Sequence, residues 1–209
     1  MSTLSSSTSF GLEPAWDVAR VFPLQGKWSV DDYLNFTDGL TQLVEYSAGH
    51  VEVLEVPTTA HQRILLFLYK LISRFVDDRD LGEVLAALRV QVAADVFREP
   101  DIVFVSRKHR GYVQERFWTG ADLVVEIVSD DAKSRDRDYV VKRADYAAAG
   151  IAEYWIVDPV ERRLTLLTLQ GAEYVSAGEF KPGEHAASKL LDGLTIDVAA
   201  TFKAAERAL

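Results

Sequence analysis

The chain of 209 residues carries no cysteine and a formal charge of −9, and it is 48% apolar and 26% charged. That balance suits one well-filled soluble domain, while the missing cysteines exclude a disulfide framework and any thiolate metal site. The acidic charge argues against a broad non-specific nucleic-acid surface, which calls for a basic footprint, yet it leaves room for a local basic patch.

No apolar run approaches the roughly 20 residues needed to span a bilayer, and no basic-then-apolar leader opens the chain, so the expected location is cytoplasmic with no membrane partner. Residues 1–20 read as a flexible tail, with Ser and Thr dominating the first dozen positions, and 21–209 as a single domain. Ser29-Val30-Asp31-Asp32 fits a capping box and predicts a short helix through Phe36. Leu43 to Ser47 and Val51 to Glu55, joined across Ala48-Gly49-His50, predict an N-terminal β-hairpin on which Glu45 and Glu52 are candidate ligands or merely solvated acids.

Ile64, Leu65, Leu68, Leu71, Ile72 and Phe75 recur at helical spacing and predict an amphipathic helix from His61 to Val76. Val84 to Ala93 reads as one strand with Arg89 and Gln91 on one face. A second strand, Ile102 to Val105, is entered through Pro100-Asp101, and a basic loop from Arg107 to Arg116 leads to a third, Leu123 to Val128. Ser129-Asp130-Asp131 offers N-caps for a helix to Ala149 that Gly150 closes, and this helix concentrates Lys133, Arg135, Arg137, Lys142 and Arg143. Glu153 to Asp158 predicts another strand, Pro159 a turn, Arg163 to Leu169 a returning hairpin arm, Tyr174 an edge strand and Val198 the start of a terminal helix. Strands interleaved with helices predict a mixed α/β fold, a central sheet flanked by helices.

The strand around Glu126 is the chemically pointed stretch. A carboxylate between Val125 and Ile127 cannot be buried unpaired without a penalty of several kcal/mol. If the strands of Asp101 and Glu126 are neighbours, two hard oxygen ligands meet, and carboxylates favour Mg2+ or Mn2+. A lysine such as Lys142 could reach back from the following helix to orient or deprotonate a metal-bound water. The bland alternative is equally open on spacing: Asp101 ends a strand, and Glu126 pairs with Arg135 or Lys142.

Pro100-Asp101, then Asp122 to Ser129, then Asp138 with Lys142 four residues on, Tyr146 to Gly150 and Glu153 to Asp158 resemble the Uma-type family of bacterial putative restriction endonucleases, in the PD-(D/E)XK nuclease superfamily. The resemblance spans about residues 28 to 202. It implies a restriction-endonuclease-like fold and Mg2+-dependent hydrolysis of DNA, with DNA as partner. It assigns Asp101 and Glu126 as metal ligands together with the Ile127 backbone carbonyl, Lys142 as the lysine taken from the following helix, and Glu45 as an auxiliary acid. Val128 stands where the standard motif has its lysine, His50 where a second Glu is usual, and Asp130-Asp131 where Ser-Pro-Ser is usual; His61 falls on a histidine common at the first long helix. Nucleases that cut both strands often act as two-fold pairs, so a homodimer is an expectation. Two rivals remain: a nuclease-fold binding module without catalysis, and an assembly protein in which Glu126 only pairs with Lys142.

Overall fold

A computed structural model describes residues 22–206, so the predicted tail over residues 1–20 lies outside the described residues. The order of elements is α1 (Val30–Thr37), β1 (Val44–Ser47), β2 (His50–Val53), α2 (Thr59–Asp77), β3 (Gly82–Ala86), β4 (Val90–Ala93), β5 (Val96–Arg98), β6 (Ile102–Ser106) and β7 (Leu123–Ile127). Then follow α3 (Ala132–Asp136), a π-helical turn (Arg137–Val141), α4 (Lys142–Ala148), β8 (Glu153–Asp158), β9 (Arg163–Gln170), β10 (Glu173–Phe180), β11 (His185–Ala187), β12 (Thr195–Asp197) and α5 (Val198–Ala205).

Local chemistry accounts for the element ends. Ser29 Oγ accepts from the Asp32 amide at 3.0 Å while the Asp32 carboxylate accepts from the Ser29 amide at 3.2 Å, the capping box read from the sequence. The β1–β2 turn places both Ala48 (φ 45°) and Gly49 (φ 84°) in the left-handed region, the geometry whose twist suits a two-residue hairpin. A Cβ on Gly49 would stand 2.9 Å from the Gly26 carbonyl carbon. Gly49→Ala is therefore expected to destabilise the fold by about 1–2 kcal/mol, read as a lowered urea midpoint with unchanged slope.

Six strands form the central sheet in the order β10-β9-β8-β7-β6-β3. Its middle pair, β7 and β8, is parallel, so the α3–α4 segment must cross from one to the other; β6, β3, β9 and β10 join antiparallel. The result is the expected mixed α/β architecture. A second sheet, β2-β1-β5-β4, carries the N-terminal hairpin, and β11 pairs with β12.

Alternation along β7 divides the molecule. Leu123, Val125 and Ile127 join Ile64, Leu68 and Ile72 of α2 and Phe202 of α5 in one apolar core, while Val124 packs with Tyr146 and Ala147 of α4 and with Tyr154 in another. Trp155 is fully buried in the first of these cores. Glu126 must project on the α4 side.

Two expectations change. The stretch Val84 to Ala93 is not one strand: β3 belongs to the central sheet and β4 to the second, separated by Ala87 at φ 51°. The backbone leaves one ladder for others there, since the Ala87 amide bonds to the Asp101 carbonyl at 3.1 Å and the Gln91 amide to the Trp118 carbonyl at 2.8 Å. The helix from Asp131 to Ala149 is also interrupted by its π-turn, although Asp131 caps it as expected and Gly150, at φ 77°, follows its end.

Candidate active site

Because Ile102 lies opposite Val125 in the β6–β7 register, Asp101, one residue outside β6, falls opposite Glu126. Asp101 Oδ2 accepts from the Ile127 amide at 2.7 Å and lies 3.2 Å from His61 Nε2, at the N-terminus of α2. So the sheet itself fixes the acid pair foreseen from sequence, and His61 adds a contact that sequence spacing could not give.

Lys142 opens α4, directly after the π-turn. Its ammonium is 2.9 Å from Glu126 Oε1, 3.1 Å from Glu45 Oε1 and 3.5 Å from Asp138 Oδ1, and the lysine is buried. Tyr146, one turn further along α4, donates its hydroxyl to Glu126 Oε1 at 2.6 Å. Glu45 arrives from the second sheet, where the β1–β5 register sets it against Arg98. Arg98 holds Glu45 Oε2 at 3.0 Å and reaches Asp145 of α4 at 2.6 Å, and the Glu99 amide donates to Glu45 Oε1 at 3.2 Å.

The charges act on one another strongly because water is excluded. Burial pushes the Glu126 carboxyl up to about 8; the carboxylates of Asp138, Asp101 and Glu45 add to this and Lys142 opposes it. Burial likewise raises Asp138 above the ordinary range, against the pull of Lys142 and Arg137. Burial would raise Glu45 too, yet Lys142 and Arg98 outweigh it and hold Glu45 ionised. Burial works against the Lys142 ammonium, but Glu126, Glu45 and Asp138 more than reverse it, so this lysine keeps its proton.

These groups border a small cleft of about 70 Å³ lined by His61, Asp101, Glu126, Ile127, Asp138 and Lys142 among others. Its donors suit a hard divalent cation. Arg98 pairs with Glu45 and Asp145, and Lys142 is shared by Glu45, Glu126 and Asp138. The Asp138 Oδ1 atom is moreover buried with no hydrogen-bond partner. Among the described residues no three His, Asp or Glu side chains already converge as a ligand cage; the Lys142 ammonium stands among the carboxylates. Asp101 and Glu126, which border the cleft from neighbouring strands, are the candidates for holding such an ion.

Other sequence candidates fall elsewhere. His50 is exposed and its Nδ1 hydrogen-bonds to the Ala48 carbonyl at 3.1 Å, while Asp131 accepts from the Ser134 amide at 2.9 Å as a helix cap. Glu52 binds Lys133 at 2.7 Å and Arg137 at 3.2 Å, tying the hairpin to the crossover segment. Val128, at the usual lysine place, is buried in the apolar core beside Tyr146. Arg98 was missed because its role depends on strand register. Asp138 did leave a signal, four residues before Lys142.

The segment that delivers Lys142 is anchored by Asp158 at the end of β8. Its Oδ2 accepts from Arg135 at 2.7 Å and Tyr139 at 2.8 Å, and its Oδ1 from the Val160 and Glu161 amides, both at 3.0 Å. Although burial works to raise it, these donors, with Arg135 foremost, hold Asp158 below the ordinary carboxylate range. A depressed folded-state pKa contributes stability that is present above the unfolded value and lost as pH falls through the folded one. Asp158→Asn is accordingly expected to lower stability by about 1–3 kcal/mol at pH 7, with the gap from wild type closing toward pH 3, as denaturant midpoints at the two pH values would report.

With geometry in place, comparison identifies the class. A crystal structure of a putative nuclease belonging to DUF820 from Anabaena variabilis matches with a TM-score of 0.68 at 18% identity, covering 88% of this chain and 99% of that one. The fold is thus the restriction-endonuclease-like α/β fold. A family profile described as Uma2, putative restriction endonuclease, matches residues 30–199, and the chain belongs to that family. A search of curated proteins returns no match. Among the described residues no helix is long and apolar enough to cross a membrane.

Proposed function

We propose that this cleft hydrolyses DNA phosphodiester bonds with Mg2+ or Mn2+ as cofactor, in the cytoplasm. One observation carries the reading: the Lys142 ammonium stands 2.9 Å from Glu126, on the strand next to Asp101, so a helix lysine reaches the acid pair that Val128 cannot serve. Asp101, Glu126 and the Ile127 carbonyl would hold the cation. Bound there, it would neutralise charge developing on the phosphate and lower the pKa of a coordinated water.

The chain's own residues supply the rest. Asp101 is held in one rotamer by the Ile127 amide and His61. Lys142, kept protonated by its acidic neighbours, serves as a charged donor that orients water and stabilises the phosphate oxygens, a better fit to its surroundings than a base. Glu45, ionised between Lys142 and Arg98, keeps the ammonium aimed at Glu126. In the overall reaction the water oxygen bonds to phosphorus, the bond from phosphorus to the leaving sugar oxygen breaks with its electron pair, and that oxygen takes up a proton.

Supercoiled plasmid incubated with the protein should be nicked or linearised with Mg2+ or Mn2+ and remain intact in EDTA. Glu126→Ala should abolish the conversion; cleavage that survives this substitution unchanged removes Glu126 from the site. A second reading, a binding module without catalysis, draws on the closed ion network of Lys142 with Glu45, Glu126 and Asp138. It predicts DNA binding without any cation-dependent cleavage.

A further inference from the structure

A DNA substrate brings a charged backbone, and a chain of net charge −9 must offer it cations somewhere. The basic segment that leads from β7 to β8 does not supply them. Lys133 and Arg137 are taken by Glu52, Arg135 by Asp158 and Lys142 by Glu45 and Glu126, while Arg143 donates to the Tyr174 carbonyl at 2.8 Å. The trough beside the cleft is less suitable still: Glu55, Asp130 and Asp131 line it with no lysine or arginine, so a phosphate passing there is repelled.

The other flank of α2 has the opposite character. A groove of about 430 Å³ runs between α2 and α5, where Arg63, Lys70 and Lys203 share the walls with Leu66, Phe67 and two alanines, and no Asp or Glu enters the lining. Arg63 Nη1 donates to the Ala205 carbonyl at 3.2 Å, which fixes the guanidinium at the end of α5, while Lys70 and Lys203 are exposed. Helix periodicity joins groove and cleft: Gln62 and Leu65 line the cleft, and Arg63, Leu66 and Lys70 line the groove on the adjacent face of the same helix. Arg63 and Lys70, seven positions apart, are separated by about 10 Å along the helix axis, the rise of about three nucleotides of one strand.

We propose that the groove between α2 and α5 docks the phosphate backbone of the DNA strand that the cleft cuts, with Arg63, Lys70 and Lys203 as its phosphate contacts. This rests on the reading of the cleft as a DNA-hydrolysing site and gives its substrate a direction of approach. Phosphates are drawn along α2 by the three cations and turned away from the side of Asp130, while Leu66 and Phe67 offer the sugars an apolar wall. Neutralising phosphates on these side chains releases counterions, so binding at the groove weakens as salt is raised.

Fluorescence anisotropy of a short labelled DNA duplex with the full-length protein in EDTA reads this contact without any divalent cation. Lys70→Gln/Lys203→Gln changes two exposed side chains and should bind at least about tenfold more weakly than wild type at low salt, with the slope of log affinity against log salt shallower by about 2. Lys108→Gln/Arg110→Gln removes the same charge from the exposed loop after β6, at the far end of that strand from Asp101, and should stay within about threefold of wild type. Groove-variant affinity within about twofold of wild type, or an equal loss in the loop variant, overturns the groove as the docking track. So does a groove variant that weakens binding of a polyglutamate probe and not of the duplex, which assigns the groove to an acidic protein segment. Wild type that fails to bind the duplex also overturns it, and plasmid cleavage in Mg2+ then reports separately whether the reading of the cleft stands.

Discussion

Lys142→Met is expected to lose cation-dependent DNA cleavage by at least about 10²–10³-fold and, separately, to destabilise the protein by about 3–5 kcal/mol at neutral pH. The stability effect follows from burial. Lys142 is the shared cation of Glu45, Glu126 and Asp138, all three buried, and removing one partner of a buried ionic group leaves the others uncompensated. The pH dependence has a definite sign. A carboxyl raised in the folded state, as Glu126 is to about 8, penalises folding progressively as pH rises from its unfolded value through its folded one. Without the ammonium that penalty grows, so the variant should fall furthest behind wild type near pH 9 and approach it near pH 5, where Glu126 and Asp138 can be protonated. Urea unfolding at both pH values measures this. A variant as stable as wild type at pH 9 would mean that the carboxylates are not held together by this lysine.

Asp101→Asn separates chemistry from architecture. The carboxylate accepts from the Ile127 amide at 2.7 Å, and an asparagine carbonyl can accept the same bond, so stability should change by no more than about 1 kcal/mol. As a cation ligand, however, the neutral amide is far poorer than a carboxylate. Cleavage should drop by at least about 10²-fold at fixed Mg2+, with partial recovery as Mg2+ is raised. If activity instead fell in step with stability, Asp101 would be a strand-end anchor and nothing more. The pairing of these two variants is informative because Lys142 carries both fold and chemistry, whereas Asp101 carries chemistry almost alone.

Much of this arrangement was legible in the residues. The apolar run around Glu126, the strand Glu153–Asp158 and the helical spacing from Ile64 to Phe75 report local burial patterns, and local pattern is what a sequence records directly. The caps at Ser29 and Asp131 were readable for the same reason, since each bond spans three residues. What failed to show was non-local. Arg98 meets Glu45 only because β1 and β5 pair across 53 positions, and nothing near either residue announces that register. The break at Ala87 was hidden because an alanine, not a glycine, takes the left-handed conformation there. The π-turn was equally silent: its residues have ordinary helical spacing, so the interruption that sets Asp138 and Lys142 into the cleft has no separate signature.

For the acid pair, spacing alone could not decide between a cation shared by Asp101 and Glu126 and an ion pair of Glu126 with Lys142. The structure contains the ion pair, at 2.9 Å, and also sets Asp101 opposite Glu126. Both features belong to one site if the lysine and the cation share Glu126, each using a different part of the carboxylate. Glu126 is therefore the residue on which fold, charge balance and proposed chemistry converge.

The most direct test is plasmid cleavage under a single set of conditions, with wild type, Asp101→Asn and Lys142→Met compared in Mg2+ and in EDTA after each variant has been shown to be folded at the assay temperature. The account predicts conversion of supercoiled DNA by wild type in Mg2+ alone and its loss in both variants. Cleavage by wild type that persists in EDTA, or undiminished cleavage by folded Lys142→Met, would contradict it.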